Sequence, residues 1–212
     1  MAKITKLEIQ KRNKERVNVF LDEEYAFSIS AELVYKEGLK INDDVEGETL
    51  RDLASKDELV RCKDSAIRMI EKSYKTEKQV KDKLVLKGYD NDAILKAMEF
   101  LKQYNLLDDV NYTKLFVKDK LKSQGSNKIK YSLMQKGVCK ELIEEELNNI
   151  DKEHEISTAM NLAQKKLLII KKSESDNYKI SSKLYRFLIS KGYGYDVVKE
   201  VVKKAMEVSC FD

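Results

Sequence analysis

His154 is the only histidine among 212 residues, and it stands between Lys152-Glu153 and Glu155. A single imidazole does not build a histidine-based metal cluster, and a lone surface histidine beside acids has no catalytic partner here. Cys62, Cys139 and Cys210 are an odd number at wide spacing, with no Cys-x-x-Cys pair, so buried free thiols in a reducing cytoplasm are expected. Asp108-Asp109 supply too few oxygens for an octahedral divalent ion and suit a helix N-terminus instead. No Gly-x-x-x-x-Gly-Lys-Ser/Thr loop cradles a nucleotide. No catalytic residue, metal ligand or cofactor-binding residue is assigned, and a non-enzyme is expected. What remains is electrostatic. Residues 111–140 hold eight lysines against one acid, Asp119. That excess suits phosphates or an acidic protein surface, and it is also what an ordinary solvated helix face looks like. Tyr112 and Tyr131 lie among these lysines, where aromatic rings can stack on bases.

The elements that carry this charge come from a repeat. Leu-x-x-Lys-Gly occurs at Leu84–Gly88, Leu133–Gly137 and Leu188–Gly192, with glycines 49 and 55 residues apart. Val80, Ile129 and Leu184 stand eight residues before each glycine. Ile94, Ile143 and Val198 follow six after it, and Met98, Leu147 and Val202 ten after it. These offsets place an apolar face on a helix to either side of the glycine, which itself allows a turn that a side chain would strain. Lys87, Lys136 and Lys191 precede the glycines, where a cation favours the end of a helix dipole; phosphate contact is the alternative. Tyr89 and Tyr193 are expected to lock the turns.

In the first repeat, a helix over about 62–72 leads to a Thr76/Gln79 capping box, a helix through Val80 and Leu84, and a third helix capped by Asp90 that ends near Asn105. The second opens at Asp108-Asp109 with an apolar stripe of Tyr112, Leu115, Phe116 and Leu121. It breaks at Gln124-Gly125-Ser126, where Ser126 is expected to cap a helix through Ile129 and Leu133. The third runs from about Glu155 to Ile170, crosses a polar stretch at 171–179, and ends in a helix through Val198 and Val202. The six extra residues of the third repeat are expected in that stretch or in the helix before it. The Glu144-Glu145-Glu146 run reads as a wet helix face.

The first thirty residues follow a period of two instead. Thr5, Leu7 and Ile9, then Val17, Val19 and Leu21, then Tyr25, Phe27 and Ile29 give a three-stranded antiparallel meander, covered by a short helix at 31–36. Phe20 points to the other face, either toward helices or into solvent. The fold class is therefore mostly α: three tandem three-helix repeats, a right-handed or solenoid-like elongated array, behind a small N-terminal antiparallel β-sheet. The expected domains are 1–60, 61–107, 108–150 and 151–212. Charge is uneven, with 10 basic against 14 acidic residues in 1–60, 19 against 14 in 61–150, and 12 against 9 in 151–212. No apolar run is long enough to cross a membrane and no signal peptide opens the chain, so a cytoplasmic protein is expected; a monomer is expected as well.

These residues resemble the RecX family, bacterial regulators of the RecA recombinase. The family's Gly-Tyr-Leu-Asp-Asp-x-x-Tyr-Ala-x-x-Phe signature is similar to residues 105–116, which keep Leu107, Asp108, Asp109, Tyr112 and Phe116. Its Lys-Gly-x-x-x-Ile-x-x-x-Leu-x-x-Lys-Gly-Ile signature is similar to residues 124–138, which keep Gly125, Ile129, Leu133, Lys136 and Gly137. Asn105, Leu106, Thr113, Gln124 and Ser126 depart from it. The resemblance spans nearly the full chain, including Glu15–Asp22. It implies no catalytic step of its own. It further implies binding in the groove of the RecA–single-stranded DNA filament and modulation, usually inhibition, of ATP-dependent strand exchange and co-protease activity, in DNA repair, homologous recombination and the SOS response. Lys114, Lys118, Lys122, Lys128, Lys130 and Tyr131 are then the contact candidates, with a direct weak contact to DNA among the options. Leu84, Lys87, Gly88, Leu188, Lys191 and Gly192 join the signature residues as structural positions. A nucleic-acid-binding repeat protein and a scaffold for another protein are the alternatives.

Overall fold

The protein is described by a computed structural model over residues 2–208; Cys210 lies outside the described residues. The chain forms two compact units. One takes in the chain up to Lys75 and Val80–Leu107; the other takes in Thr76–Gln79 and everything from Asp108 onward.

In the first unit, β1 (Ala2–Ile9), β2 (Arg16–Leu21), β3 (Glu24–Ser30) and β4 (Asp44–Val45) form an antiparallel sheet in the order β3-β2-β1-β4. The fourth strand is an addition to the expected meander. Its two residues pair with Ala2 and Lys3, too few to show any alternation in sequence. A register shift between Ile4 and Lys6 also alters the expected inward set. Ile4 is buried and Leu7 packs beside it, whereas Ile9 is 62% exposed. Thr5 is diverted to its hydroxyl, which donates to Phe20 O (3.2 Å) and accepts from Glu23 N (2.9 Å). Phe20 is half-buried, with Tyr25 packed edge-on against it at 5.9 Å and the Lys6 ammonium over its ring.

Ile4, Val19 and Ile29 pack against Leu33 of α1 (Ala31–Lys36), Val45, and Leu53 of α2 (Gly47–Lys72). Burying aliphatic side chains of this size contributes roughly 1.5–3 kcal/mol each. A buried ion pair fastens the sheet to α2. Arg16 Nη1 donates to both oxygens of Asp57 (3.0 and 2.9 Å), and Ser30 N donates to Asp57 Oδ1 (2.7 Å). Arg16 Nη2 donates to the carbonyl and hydroxyl of Ser28. Helix α2 is unbroken through residues 60–61 and carries on into the first repeat, where Cys62, Ala66 and Met69 pack against Val80 and Leu84 of α3 (Glu77–Leu86) and Ile94, Ala97, Met98 and Leu101 of α4 (Asn91–Gln103). Asp90 caps α4 by accepting from Asp92 N (3.0 Å).

The second unit holds α5 (Asp109–Lys120), α6 (Ser126–Gln135) and α7 (Lys140–Asn148), then α8 (Lys152–Lys171), α9 (Asn177–Ser190) and α10 (Tyr195–Val208). It also contains the capping box: Thr76 N donates to Gln79 Oε1 (3.2 Å) and Gln79 N to Thr76 Oγ1 (3.3 Å). On α5, Tyr112, Phe116 and Leu121 of the expected stripe are half-buried against the core of the repeat, Leu115 is exposed instead, and the most buried line is Thr113 and Val117. Threonine is tolerated there because its hydroxyl donates to Asp109 O at 2.6 Å. Helix α9 starts at Asn177, capped by Asp176, so part of the expected polar stretch is helical. The third repeat's extra length lies in its helices: α8 has 20 residues against 12 in α5, and α9 has 14 against 10 in α6.

Gly88, Gly137 and Gly192 sit in equivalent turns at φ +80°, +85° and +89°. In each, the residue after the glycine donates its N–H to the repeat leucine, Leu84, Leu133 or Leu188. That bond closes the helix in the left-handed manner that favours glycine. Tyr193 is buried behind its turn, while Tyr89 is half-buried with its hydroxyl donating to Arg61 O (3.1 Å). No helix among the described residues is long and apolar enough to cross a membrane.

Candidate functional site

The basic stretch resolves into two groups of lysines with different occupations. Lys114 and Lys118 are four residues apart on one edge of α5, and Lys122 follows in the turn after it. All three are exposed, and among the described residues none has an ion pair or a hydrogen-bond partner for its ammonium. The other five are engaged. Lys120 donates to Asp119 (3.0 Å) and lies over the Phe116 ring, and Lys136 lies over the same ring at 5.5 Å. Lys130 donates to Glu144 (3.0 Å), with Lys140 at 3.7 Å from the same oxygen. Lys128 Nζ donates to Ser190 O (3.3 Å).

Both acids in these pairs are held below the usual carboxylate range. For Asp119 the chief cause is the hydrogen bond from Lys120; for Glu144 it is the hydrogen bond from Lys130. Asp119 is hydrogen-bonded to Lys120 and its charge is also felt by Lys122, so among the described residues Lys114, Lys118 and Lys122 hold no acid in direct contact and Lys122 is partly offset. Leu115 is 44% exposed beside those lysines. On α6, Tyr131 and Met134 are both exposed and three residues apart, a second small solvent-facing patch. Of the six contact candidates, then, the structure collects three on one edge and leaves Tyr131 exposed elsewhere. It uses Lys128 and Lys130 to hold the fold.

The signature residues serve geometry. Asp108 caps α5, accepting from Asn111 N at 2.9 Å. Asp109 does not cap its own helix in this way: its Oδ1 accepts from Glu77 N at 2.9 Å. Gly125, not Ser126, is the N-cap of α6, and Ser126 donates both its N–H (2.9 Å) and its hydroxyl (2.8 Å) to the buried carboxylate of Glu155. Sequence reasoning passed over Glu155 as the start of a helix. Asp109 and Glu155 hold corresponding places, each four residues before a fully buried small residue, Thr113 or Ala159, but that burial is visible only in the structure. Leu84, Ile129, Leu133 and Leu188 are buried. Lys136 and Lys191 are the C-caps of α6 and α9, and Lys191 reaches back over Phe187. Lys87 donates to Ser65 Oγ. Cys62 is buried, and burial pushes its thiol up to about 11, whereas Cys139 is exposed at the start of α7, against the expectation of burial.

A small sheet followed by three-helix repeats with left-handed glycine turns, one helix edge of which carries unpaired cations, defines a helical-repeat protein. Profiles of the regulatory protein RecX N-terminal domain and of the RecX first, second and third three-helix domains match residues 2–46, 62–101, 108–147 and 153–202. The regulatory protein RecX of Clostridium botulinum (strain Alaska E43) is 67% identical over the whole of both chains. That of Clostridium perfringens (strain 13) is 50% identical over 96% of each, and that of Clostridioides difficile 34% over all of both. A crystal structure of regulatory protein RecX shares the fold at a TM-score of 0.72, with 23% identity, covering 95% of this chain and 98% of its own. RecX from Lactobacillus salivarius does so at 0.63 and 23%, over 70% of this chain and 97% of its own. The chain belongs to the RecX family of regulatory proteins.

Proposed function

We propose that this chain is a non-enzymatic regulator, an inhibitor, of the RecA recombinase. It binds in the groove of the RecA–DNA filament and modulates ATP hydrolysis, strand exchange and co-protease activity. The observation that carries the reading is the edge of α5, where Lys114, Lys118 and Lys122 are exposed with no ion pair or hydrogen-bond partner for their ammoniums among the described residues. Membership of the RecX family supports RecA as the partner. Three cations held on one side by helix spacing attract an anionic surface and steer it, with an effect that weakens as salt rises. The segments 1–60, 61–107, 108–150 and 151–212 act as modules whose separate weak contacts add through effective concentration.

The experiment is filament affinity at two salt concentrations, alongside RecA ATP hydrolysis and strand exchange. In the Lys114→Glu, Lys118→Glu, Lys122→Glu triple variant, binding weakens about tenfold or more and the salt slope becomes shallower, with helicity intact. A double variant at Lys128 and Lys130 loses stability instead. Unchanged affinity and salt slope in the folded triple variant would move the contact elsewhere. Equal affinity for bare single-stranded DNA and for the filament would favour a direct nucleic-acid binder.

A further inference from the structure

Two Lys-Gly turns in the second unit each hold the start of a helix that precedes them in the chain. At the first, Thr76 Oγ1 donates to Lys136 O (2.6 Å) and Glu77 N donates to Asp109 Oδ1 (2.9 Å). A Cβ on Gly137 would run into the stem of Lys78. At the second, Gly125 N donates to Lys191 O (3.0 Å), Asn127 N to Gly192 O (3.1 Å), and Ser126 to Glu155. Gly125 here lies directly on the backbone of Gly192 and Tyr193. The inserts share one register: Thr76 and Gly125 each stand 12 residues before their own repeat glycine, Gly88 and Gly137. Each socket therefore has the same three parts. A lysine carbonyl accepts one donor, a carboxylate from the neighbouring helix accepts a first-turn N–H, and a glycine leaves room for the insert. Together they satisfy N–H groups that a helix start cannot satisfy within itself.

The turn at Lys87-Gly88-Tyr89 has the same backbone, with Gly88 at φ +80° and Tyr89 N donating to Leu84 O. It is empty. No hydrogen bond reaches the Lys87 carbonyl among the described residues, and nothing lies within 4 Å of where a Gly88 Cβ would stand. The turn opens on a cavity of about 370 Å³ whose wall includes Phe27, Ala54, Asp57, Glu58 and Arg61. Glu58 supplies a carboxylate there; one of its oxygens accepts from Asp90 N at 2.7 Å.

We propose that this turn is a socket for the first turn of a helix of the partner protein, one that begins with Ser, Thr or Gly. A chain that fills the same backbone geometry twice with such an insert leaves the third copy with the same donors to accept. A second copy of this chain offers no free insert: its starts at Thr76 and Gly125 are already seated, and the residue 12 before Gly192 is Ile180, which is buried inside α9 and offers no helix start. The proposal rests on the filament reading above for the identity of the partner.

The test uses the full chain and the ATP-bound RecA filament on single-stranded DNA. Ala54 is exposed and lines the cavity, so a benzoylphenylalanine placed there reports what enters it. A control label replaces Leu115 on α5. The expected result is a cross-link from position 54 to the first turn of a RecA helix, and an Ala54→Trp variant that binds roughly tenfold more weakly with an unchanged melting curve. Cross-links from position 115 only, with full affinity in Ala54→Trp, would overturn the socket while leaving the filament reading in place. Cross-links from position 54 to a strand or loop of RecA would overturn the helix-start occupant. Absence of any filament binding by the unsubstituted chain would remove the filament reading and this occupant together.

Discussion

Three glycine-to-alanine substitutions separate backbone strain from close approach. Gly88→Ala meets open space, so its cost is the left-handed penalty alone, about 1–2 kcal/mol. Gly125→Ala carries no such penalty, because its φ is −82°. Its methyl would instead stand 2.5 Å from Gly192 O and Tyr193 Cα. Backbone atoms cannot rotate away as a side chain does, so the two elements must part. Overpacking of this kind costs roughly 1–3 kcal/mol, offset by ~0.4–1 kcal/mol from a stiffer unfolded chain. Gly192→Ala suffers both effects, with φ +89° and a Cβ 2.5 Å from Lys128 N, and is expected to lose about 3 kcal/mol. Urea unfolding followed by circular dichroism gives the ranking. Hydrogen exchange at the amides of Leu84, Leu133 and Leu188 assigns each loss to its own repeat. A Gly125→Ala chain as stable as the unsubstituted one would refute the close approach. A Gly192→Ala chain no worse than Gly88→Ala would show that the occupied socket adds nothing to the turn.

Other perturbations follow from buried groups. Asp57→Ala leaves Arg16 and the N–H of Ser30 without their acceptor and is expected to cost about 3–5 kcal/mol in urea unfolding; a loss under ~1 kcal/mol would contradict the pairing. Iodoacetamide at pH 8 is expected to modify exposed Cys139 and spare Cys62 in the folded chain, so rapid labelling of both would refute the burial of Cys62. Burial also raises the Tyr193 hydroxyl to about 12 and the Cys62 thiol to about 11. Unfolding releases these protons more readily, so stability is intact below about pH 9 and falls as pH rises toward 11–12. Stability that rises across that alkaline window would contradict the sign.

Sequence periodicity reached the helices and the glycine turns because both are local. Leu84 and Gly88 are four residues apart, and the bond that closes the turn spans five. It failed where a side-chain hydrogen bond decides the outcome, whether its partner lies one helical turn away or much further along the chain. Thr113 reads as polar and is buried because Asp109 O takes its hydroxyl; Ser126 reads as a cap and is instead a donor to Glu155, 29 residues away. Strand β4 is too short to have a pattern. The candidate site divides in the same way. The lysine excess at 111–140 is plain in the sequence, but which cations are committed depends on Glu144 and on Ser190, 14 residues from Lys130 and 62 from Lys128.

Helix α2 has a consequence for how this chain tolerates change. Leu53 belongs to the core of the sheet and Cys62 to the core of the first repeat, and one unbroken helix carries both. At roughly 100° per residue, nine residues set those two side chains about half a revolution apart. The helix is therefore a phase lock. A single residue inserted between positions 57 and 62 would swing everything after it by ~100° relative to the sheet, and no adjustable loop intervenes to absorb the swing. Deleting or adding three or four residues comes close to a full revolution and restores the facing. Length variants that survive in this segment should therefore come in steps of about one helical turn.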